Sequence, residues 1–247
     1  MARKHSAISP TIRPAKHKAL TLALAGGATA LLFSATPTLV GAPAVAAEKA
    51  YDVPAAKVTA REPKKLQVAI FAGGCFWGVE GVFSHVKGVR SVKSGYHGGK
   101  KSTAKYDLVA YGKTRHAEAV RIVYDPTQIR YTDLLRIFFS VTADPTQLNR
   151  QGPDRGAHYR NAIVPLSTEQ AKAARAYISQ LKAARIWSRP IVTKIEKYTG
   201  FYAAETYHQD FMFKNPIHPY IVRWDRPKVS NLKAKFPRYY RRNPVRG

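Results

Sequence analysis

A single cysteine, Cys75, is the feature that most narrows what this 247-residue chain can be. One thiol closes no internal disulfide and completes no cysteine-based zinc cluster, so neither staple can replace a hydrophobic core. The fold must rest on ordinary packing, and 45% hydrophobic with 11% aromatic residues is enough to supply it. This length predicts one domain of moderate size, or two small ones.

The net charge of +26, from 41 Lys and Arg against 15 Asp and Glu, raises nucleic-acid binding as one reading. Its distribution argues otherwise. Residues 1–47 hold five Lys/Arg and no acid, and the last 34 residues hold ten against Asp225 alone, with no binding motif in either. A solvated basic surface that also favours anionic surfaces accounts for this better. Trp224, Phe236, Tyr239 and Tyr240 interleave with Arg and Lys in the tail as in single-strand binders, but composition is the whole of that likeness. No specific nucleic-acid partner is expected.

Arg3, Lys4, Arg13, Lys16 and Lys18 precede an uncharged stretch that begins at Ala19 and ends in small residues at 42–47. This outline predicts a secretory signal over residues 1–47 and an exported, periplasmic protein, an uncleaved membrane anchor being the alternative. Its removal leaves 36 − 15 = +21 on 200 residues, so the charge belongs to the mature surface. Residues 48–65, with Pro54 and Pro63, read as a tether.

The domain begins with Gln67-Val68-Ala69-Ile70-Phe71, a strand stopped by Gly73-Gly74. Phe76, Val79, Val82, Phe83 and Val86 then recur at helical spacing until Gly88. Residues 89–96 and 118–124 read as strands, with residues 98–105 a long loop between them. A helix capped by Thr132 carries Leu134, Leu135, Ile137 and Phe138 and stops at Asp144-Pro145. Residues 146–159 read as loop, 162–164 as a strand, and Ser167 with Gln170 as a capping box for a helix presenting Ala171, Ala174, Ile178 and Leu181. Residues 191–195 read as another strand, and everything from Tyr198 as an irregular wrap and tail. This order predicts one α+β domain with a mixed, mostly antiparallel sheet.

Cys75 falls at the strand-to-helix junction, where unpaired backbone N–H groups and the positive end of the helix dipole favour thiolate. Phe76 and Trp77 cannot both face one helix-packing surface, so one should be free for a ligand. Glu118 opens a strand two residues after His116, and 151–160 is a polar loop of the kind that carries sites. A cysteine acyl-transfer enzyme would need a histidine base, for which His116, His158 and His208 are the candidates. The eight histidines form no metal-binding signature.

Gly74-Cys75-Phe76-Trp77-Gly78 resembles the signature of the A-type peptide methionine sulfoxide reductases. Gly95-Tyr96-His97-Gly98-Gly99, Tyr106, His116-Ala117-Glu118-Ala119-Val120, Tyr124-Asp125-Pro126, Gln151-Gly152-Pro153-Asp154, Tyr159-Arg160 and His208-Gln209 follow in that family's order. The resemblance spans about residues 66–237 and leaves 238–247 as a basic tail.

The resemblance implies a ferredoxin-like plait and reduction of methionine S-sulfoxide, free or in oxidised proteins, by a monomer without a bound cofactor. Cys75 would attack the sulfoxide sulfur while protonated Glu118 gives the oxygen a proton. Tyr106 and Tyr159 would hydrogen-bond that oxygen with Asp154 assisting, and Phe76, Trp77 and Tyr202 would bind the substrate. The product, a Cys75 sulfenic acid, needs a thiol to reduce it. Many members carry further cysteines for this step and this chain has none, so an external thiol such as thioredoxin or glutaredoxin is expected to act directly. Arg115 replaces the usual glycine before His-Ala-Glu and is expected to point away from Glu118. Glu80 is expected to be structural.

Overall fold

The computed structural model describes residues 49–247, so the expected signal segment lies outside the described residues. No helix among the described residues is long and apolar enough to cross a membrane. The central strand β1 (Gln67–Gly73) is a β-branched and aromatic run, and both of its edges are paired. It runs antiparallel to β3 (Ala117–Tyr124) on one side and to β6 (Asn161–Val164) on the other. Outside β3 lie β2 (Val89–His97) and β8 (Phe201–Ala203), both antiparallel, and outside β6 lies the two-residue parallel strand β7 (Lys194–Ile195). The sheet order is β7-β6-β1-β3-β2-β8, a mixed and mostly antiparallel sheet as expected. A separate hairpin, β4 (Arg150–Gln151) with β5 (Asp154–Arg155), interrupts the predicted loop.

Strand alternation decides what the two faces bury. Phe71, Val120, Ile122 and Ile163 share one face and one cluster with helices α1 (Phe76–Ser84), α3 (Tyr131–Ile137), α4 (Thr168–Ala184) and α6 (Arg226–Lys235). Val82 and Phe83, Leu134 and Leu135, Tyr177 and Leu181, and Leu232 are what these helices contribute. Each such side chain, fully buried, stabilises the fold by about 1.5–3 kcal/mol. The other face is thinner: Ile70, Ala72, Ala119, Ala162 and Val164, with Phe201 against them. Glu118 shares the parity of Val120 and Ile122, so its carboxyl points to the helix-covered side.

Several local expectations are revised. Helix α1 ends at Ser84, and Val86 is buried in an isolated bridge with Tyr240 instead. The cap of α3 is Arg130, whose N–H donates to Asp133 Oδ2, while Thr132 is buried inside the helix. After Ile137 the helix loosens into a π turn over Phe138–Thr142. Ser167 does cap α4, accepting the Gln170 N–H at 3.1 Å, but Gln170 Oε1 reaches one residue further, to Leu166 N–H. Only Lys194–Ile195 of the strand expected at 191–195 pairs. A five-residue helix, α2 (Tyr106–Ala110), follows the long loop without a signal of its own.

The expected tether is attached, and the wrap expected to be irregular contains regular elements. Residues 49–65 lie along the domain: Val53 is buried, Tyr177 Oη donates to Pro54 O at 2.7 Å, and Glu62 accepts the Tyr131 N–H at 3.0 Å and the Tyr124 hydroxyl. Beyond Tyr198 the chain forms β8, the single turn α5 (Phe211–Lys214), a π turn over Ile221–Asp225, and α6. Of α6 only Lys228 and Leu232 are buried, too few to show a helical period.

Candidate active site

Gly74 has φ +87°, the left-handed region, and a Cβ there would stand 2.5 Å from Gln151 Cβ. Glycine is therefore required for the sharp turn from β1 that brings Cys75 to the cap position of α1, against the β4–β5 hairpin. The thiol opens on a cavity of about 210 Å³ lined by Cys75, Phe76, Trp77, Tyr106, Glu118, Asp154, Tyr159 and Tyr220. Five elements far apart in sequence meet here: the start of α1, the start of α2, the start of β3, the polar 151–160 loop, and the C-terminal segment.

Glu118 is 2% exposed, and its Oε2 accepts the Phe76 N–H at 2.9 Å. Burial raises its pKa to about 8, helped by the Asp154 and Asp225 carboxylates against the opposing pull of that N–H. At neutral pH it is therefore a buried acid holding its proton. Burial and the Glu118 charge push the Tyr106 hydroxyl up to about 12, and burial raises Tyr159 as well, so both phenols are donors. A neutral carboxyl and two phenols converging beside a thiol form a donor set for an oxygen that gains a proton while sulfur attacks its neighbour.

The family model of the peptide methionine sulfoxide reductases matches residues 67–239. The chain belongs to this family. A peptide methionine sulfoxide reductase MsrA 2 of Mesorhizobium japonicum is 54% identical over 179 residues, 72% of this chain and 92% of that protein. The peptide methionine sulfoxide reductase MsrA of Deinococcus radiodurans is 50% identical over 168 residues, 68% and 81% of the two chains. Among solved structures, reduced Mxr1 from Saccharomyces cerevisiae superposes with a TM-score of 0.57 at 32% identity, covering 66% of this chain and 92% of its own. Methionine sulfoxide reductase A of Corynebacterium diphtheriae gives 0.54 at 35%, covering 64% and 78%. The activity of this reductase is the reduction of methionine sulfoxide to methionine, a repair of oxidised proteins.

The reductase cavity holds seven of the eight side chains singled out in the sequence, and Tyr202 is the exception. Strand β8 pairs Tyr202 with Tyr96, and its ring meets His116 edge-on at 5.9 Å; none of these three lines the cavity. One of the two consecutive aromatics was expected to be free for a ligand, and both line the cavity: Phe76 is buried with its ring 5.0 Å from His208, and Trp77 is half-buried. Trp77 is held on three sides. Its indole N–H donates to His208 Nδ1 at 3.0 Å, Phe211 stacks on it at 3.7 Å and 7°, and Tyr220 stands edge-on at 5.9 Å.

The thiolate expected at rest is not what the site favours. Burial pushes the Cys75 thiol well up, and Glu118, Asp225 and Asp154 add to it, outweighing the N–H of Trp77. A nine-residue helix brings roughly half a unit charge to its N-terminus, less than burial and three carboxyl groups impose. No histidine lines the cavity. His116 spends one ring nitrogen on Gly99 N–H and the other on Lys100 O, and His208 Nδ1 is taken by Trp77. Arg115 is exposed, as expected.

Two residues of the site escaped sequence reading. Tyr220 lines the cavity and donates its hydroxyl to Asp154 Oδ2. Asp225 is fully buried beneath α1, where a Cβ at Gly78 would stand 2.1 Å from its Oδ1, and Lys228 Nζ lies 3.4 Å from the same oxygen. The one available signal was Asp225 as the only acid in the last 34 residues.

Proposed function

We propose that Cys75 attacks the sulfur of methionine S-sulfoxide while Glu118 protonates its oxygen. The observation that carries this reading is the protonated, buried Glu118 sharing one small cavity with the only thiol. Overall, sulfoxide and thiol become thioether and sulfenic acid, with no net gain or loss of a proton. Glu118 gives its proton to the sulfoxide oxygen and takes the one that leaves Cys75, so a neutral resting thiol is compatible with attack. The same neutrality shields the thiol from adventitious oxidants.

Tyr106 and Tyr159 donate to the sulfoxide oxygen, Asp154 assists in the polar wall, and Phe76 and Trp77 receive the methyl group and select the epimer. The Cys75 sulfenic acid is then reduced by an external thiol, of the thioredoxin or glutaredoxin kind, through a mixed disulfide at Cys75. The absence of any second cysteine supports that route. Single turnover of the mature protein on S- and R-sulfoxides, followed by mass spectrometry of Cys75, tests all three points. Sulfenic acid appearing with the S epimer is expected; turnover by Cys75→Ser would refute the assignment.

The protein is exported as a monomer, by cleavage within its basic and apolar N-terminal segment, and its +21 mature charge favours anionic surfaces. Fractionation with N-terminal sequencing tests export; a start at Met1 in the cytoplasmic fraction would exclude it.

A further inference from the structure

Further along α1 lies a second, larger cavity of about 550 Å³, with Glu80, Gly81, Met212, Phe213, Arg226 and Val229 among its lining residues. Met212 is the only methionine of the described residues. Its thioether rests on the bare backbone of α1: a Cβ at Gly81 would stand 2.3 Å from Met212 Cε and 2.7 Å from Sδ. The side chain is half-buried and borders a cavity that small solutes can enter.

A buried acid lines the same cavity. Glu80 is 2% exposed, and its Oε2 accepts the Asp210 N–H at 3.0 Å. Its Oε1 and the Ser94 hydroxyl are both buried without a well-formed hydrogen bond, although Ser94 still pulls the Glu80 pKa down. Burial and the Asp210 carboxylate raise the Glu80 pKa to about 8, so the group carries a proton at neutral pH. With Oε2 engaged as an acceptor, the proton belongs on Oε1. A buried O–H without an acceptor costs roughly 1–3 kcal/mol. The Met212 thioether on the same cavity is only a weak acceptor, whereas a sulfoxide oxygen is a strong one.

We propose that Met212 is an oxidation site of the protein itself, its sulfoxide received by Glu80. A sulfur lone pair attacks one oxygen of a peroxide, the O–O bond breaks, and the second oxygen leaves as water after proton transfer. Sulfur loses two electrons and the peroxide gains them. The sulfoxide is larger and polar, and it cannot keep the thioether's seat on Gly81. Phe211, the preceding residue of α5, stacks on Trp77, so displacement of Met212 shifts one wall of the catalytic cavity. Reversal by Cys75 of a second molecule rests on the reductase reading; the oxidation and its effect on Trp77 do not.

The test uses the full chain. Cys75→Ser protein is treated with hydrogen peroxide and the Met212 peptide mapped by mass spectrometry, with free methionine in the same tube as reference. One added oxygen on that peptide is expected, and an unmodified peptide when the free methionine is fully oxidised overturns the proposal. Met212→Gln, a fixed polar surrogate, should lower kcat/KM on a peptide sulfoxide roughly tenfold, a tenth of the penalty for a full ångström of misplacement at a reacting centre. Met212→Leu should stay within about twofold of the parent. Equal kcat/KM for the two variants removes the link to Trp77. In Cys75→Ser, oxidation should lower the urea midpoint more when Glu80→Ala is added, and equal loss overturns the role given to Glu80. Added wild-type protein with dithiothreitol should reverse the mass change, and activity on the external peptide shows separately whether the reductase itself works.

Discussion

The amide N–H of Phe76 donates to Oε2 of Glu118 at 2.9 Å, so the residue after the nucleophile grips the acid. This contact ties the start of α1 to the start of β3 and orients the carboxyl toward Cys75. It also opposes the burial that keeps Glu118 protonated, leaving the pKa near 8 rather than higher. Glu118→Gln keeps an oxygen for Phe76 and has no proton to give. Its kcat/KM should fall about 10²–10⁴-fold without loss of fold. The parent should lose activity as pH rises through about 8, because the acid ionises there, and the variant should lack that limb. Rates measured from roughly pH 6 to 10 check both, and an unchanged alkaline limb in the variant would assign it to another group.

Tyr220 links the C-terminal segment to the 151–160 loop through its hydrogen bond to Asp154, and its ring stands edge-on to Trp77. Tyr220→Phe keeps the ring and loses the bond. A single hydrogen bond to a carboxylate, at about 1.5–3 kcal/mol, predicts a fall in kcat/KM of roughly ten- to hundredfold. If Tyr220 acts through Asp154, the double variant with Asp154→Asn should be no worse than Asp154→Asn alone.

Glycine in a helix interior usually costs about 1 kcal/mol against alanine, so Gly78→Ala on an exposed helix would stabilise. Here the added methyl carbon would meet Asp225 Oδ1 at 2.1 Å, beneath the helix that carries Cys75. Overpacking predicts a net loss of about 1–3 kcal/mol in urea unfolding, together with lower activity as Asp225 is pushed aside. A gain in stability would show that α1 moves freely over Asp225.

Glu62 shows that residues 49–65 belong to the domain. Its carboxylate serves the Tyr131 N–H at the start of α3 and the hydroxyl of buried Tyr124. Glu62→Ala leaves both donors without it, and each unsatisfied buried group costs about 1–3 kcal/mol. Urea unfolding of the variant should show a loss of about 2–6 kcal/mol for the two groups together, where a free tether would show none.

What the sequence shows of this fold is what local physics encodes. The strand run before Gly73-Gly74 places Cys75 at a helix start, Ser167 announces α4 with a cap, and the alternation after Glu118 orients its carboxyl. What it hides is held by partners far along the chain. The five residues of α2 are too few for a period, and Tyr106 is fixed through its N–H by Glu205, 99 positions away. Tyr220 and Asp225 reach the site only because the C-terminal segment folds back over α1, and Tyr202 misses it by the register of β8 against β2. Charge and dipole at Cys75 were legible, but burial among three carboxyl groups was not, and burial decides the state of the thiol.

Glu80 gives the clearest dependence of stability on pH. Its pKa is about 8 in the folded protein against 4.5 for an unhindered carboxyl, so the folded state binds more protons than the unfolded state between those values. Stability from this group is therefore complete below pH 4.5, declines as pH rises toward about 8, and is level beyond. The decline is on the order of a few kcal/mol, at 1.36 kcal/mol per pKa unit. Glu80→Gln retains an acceptor for the Asp210 N–H and does not ionise. The variant should match or fall below the parent in acid and exceed it in alkali, the gap opening between the two pKa values. Urea midpoints measured at about pH 4.5 and 8.5 decide it: a gap that stays constant would place the Glu80 carboxyl in contact with water.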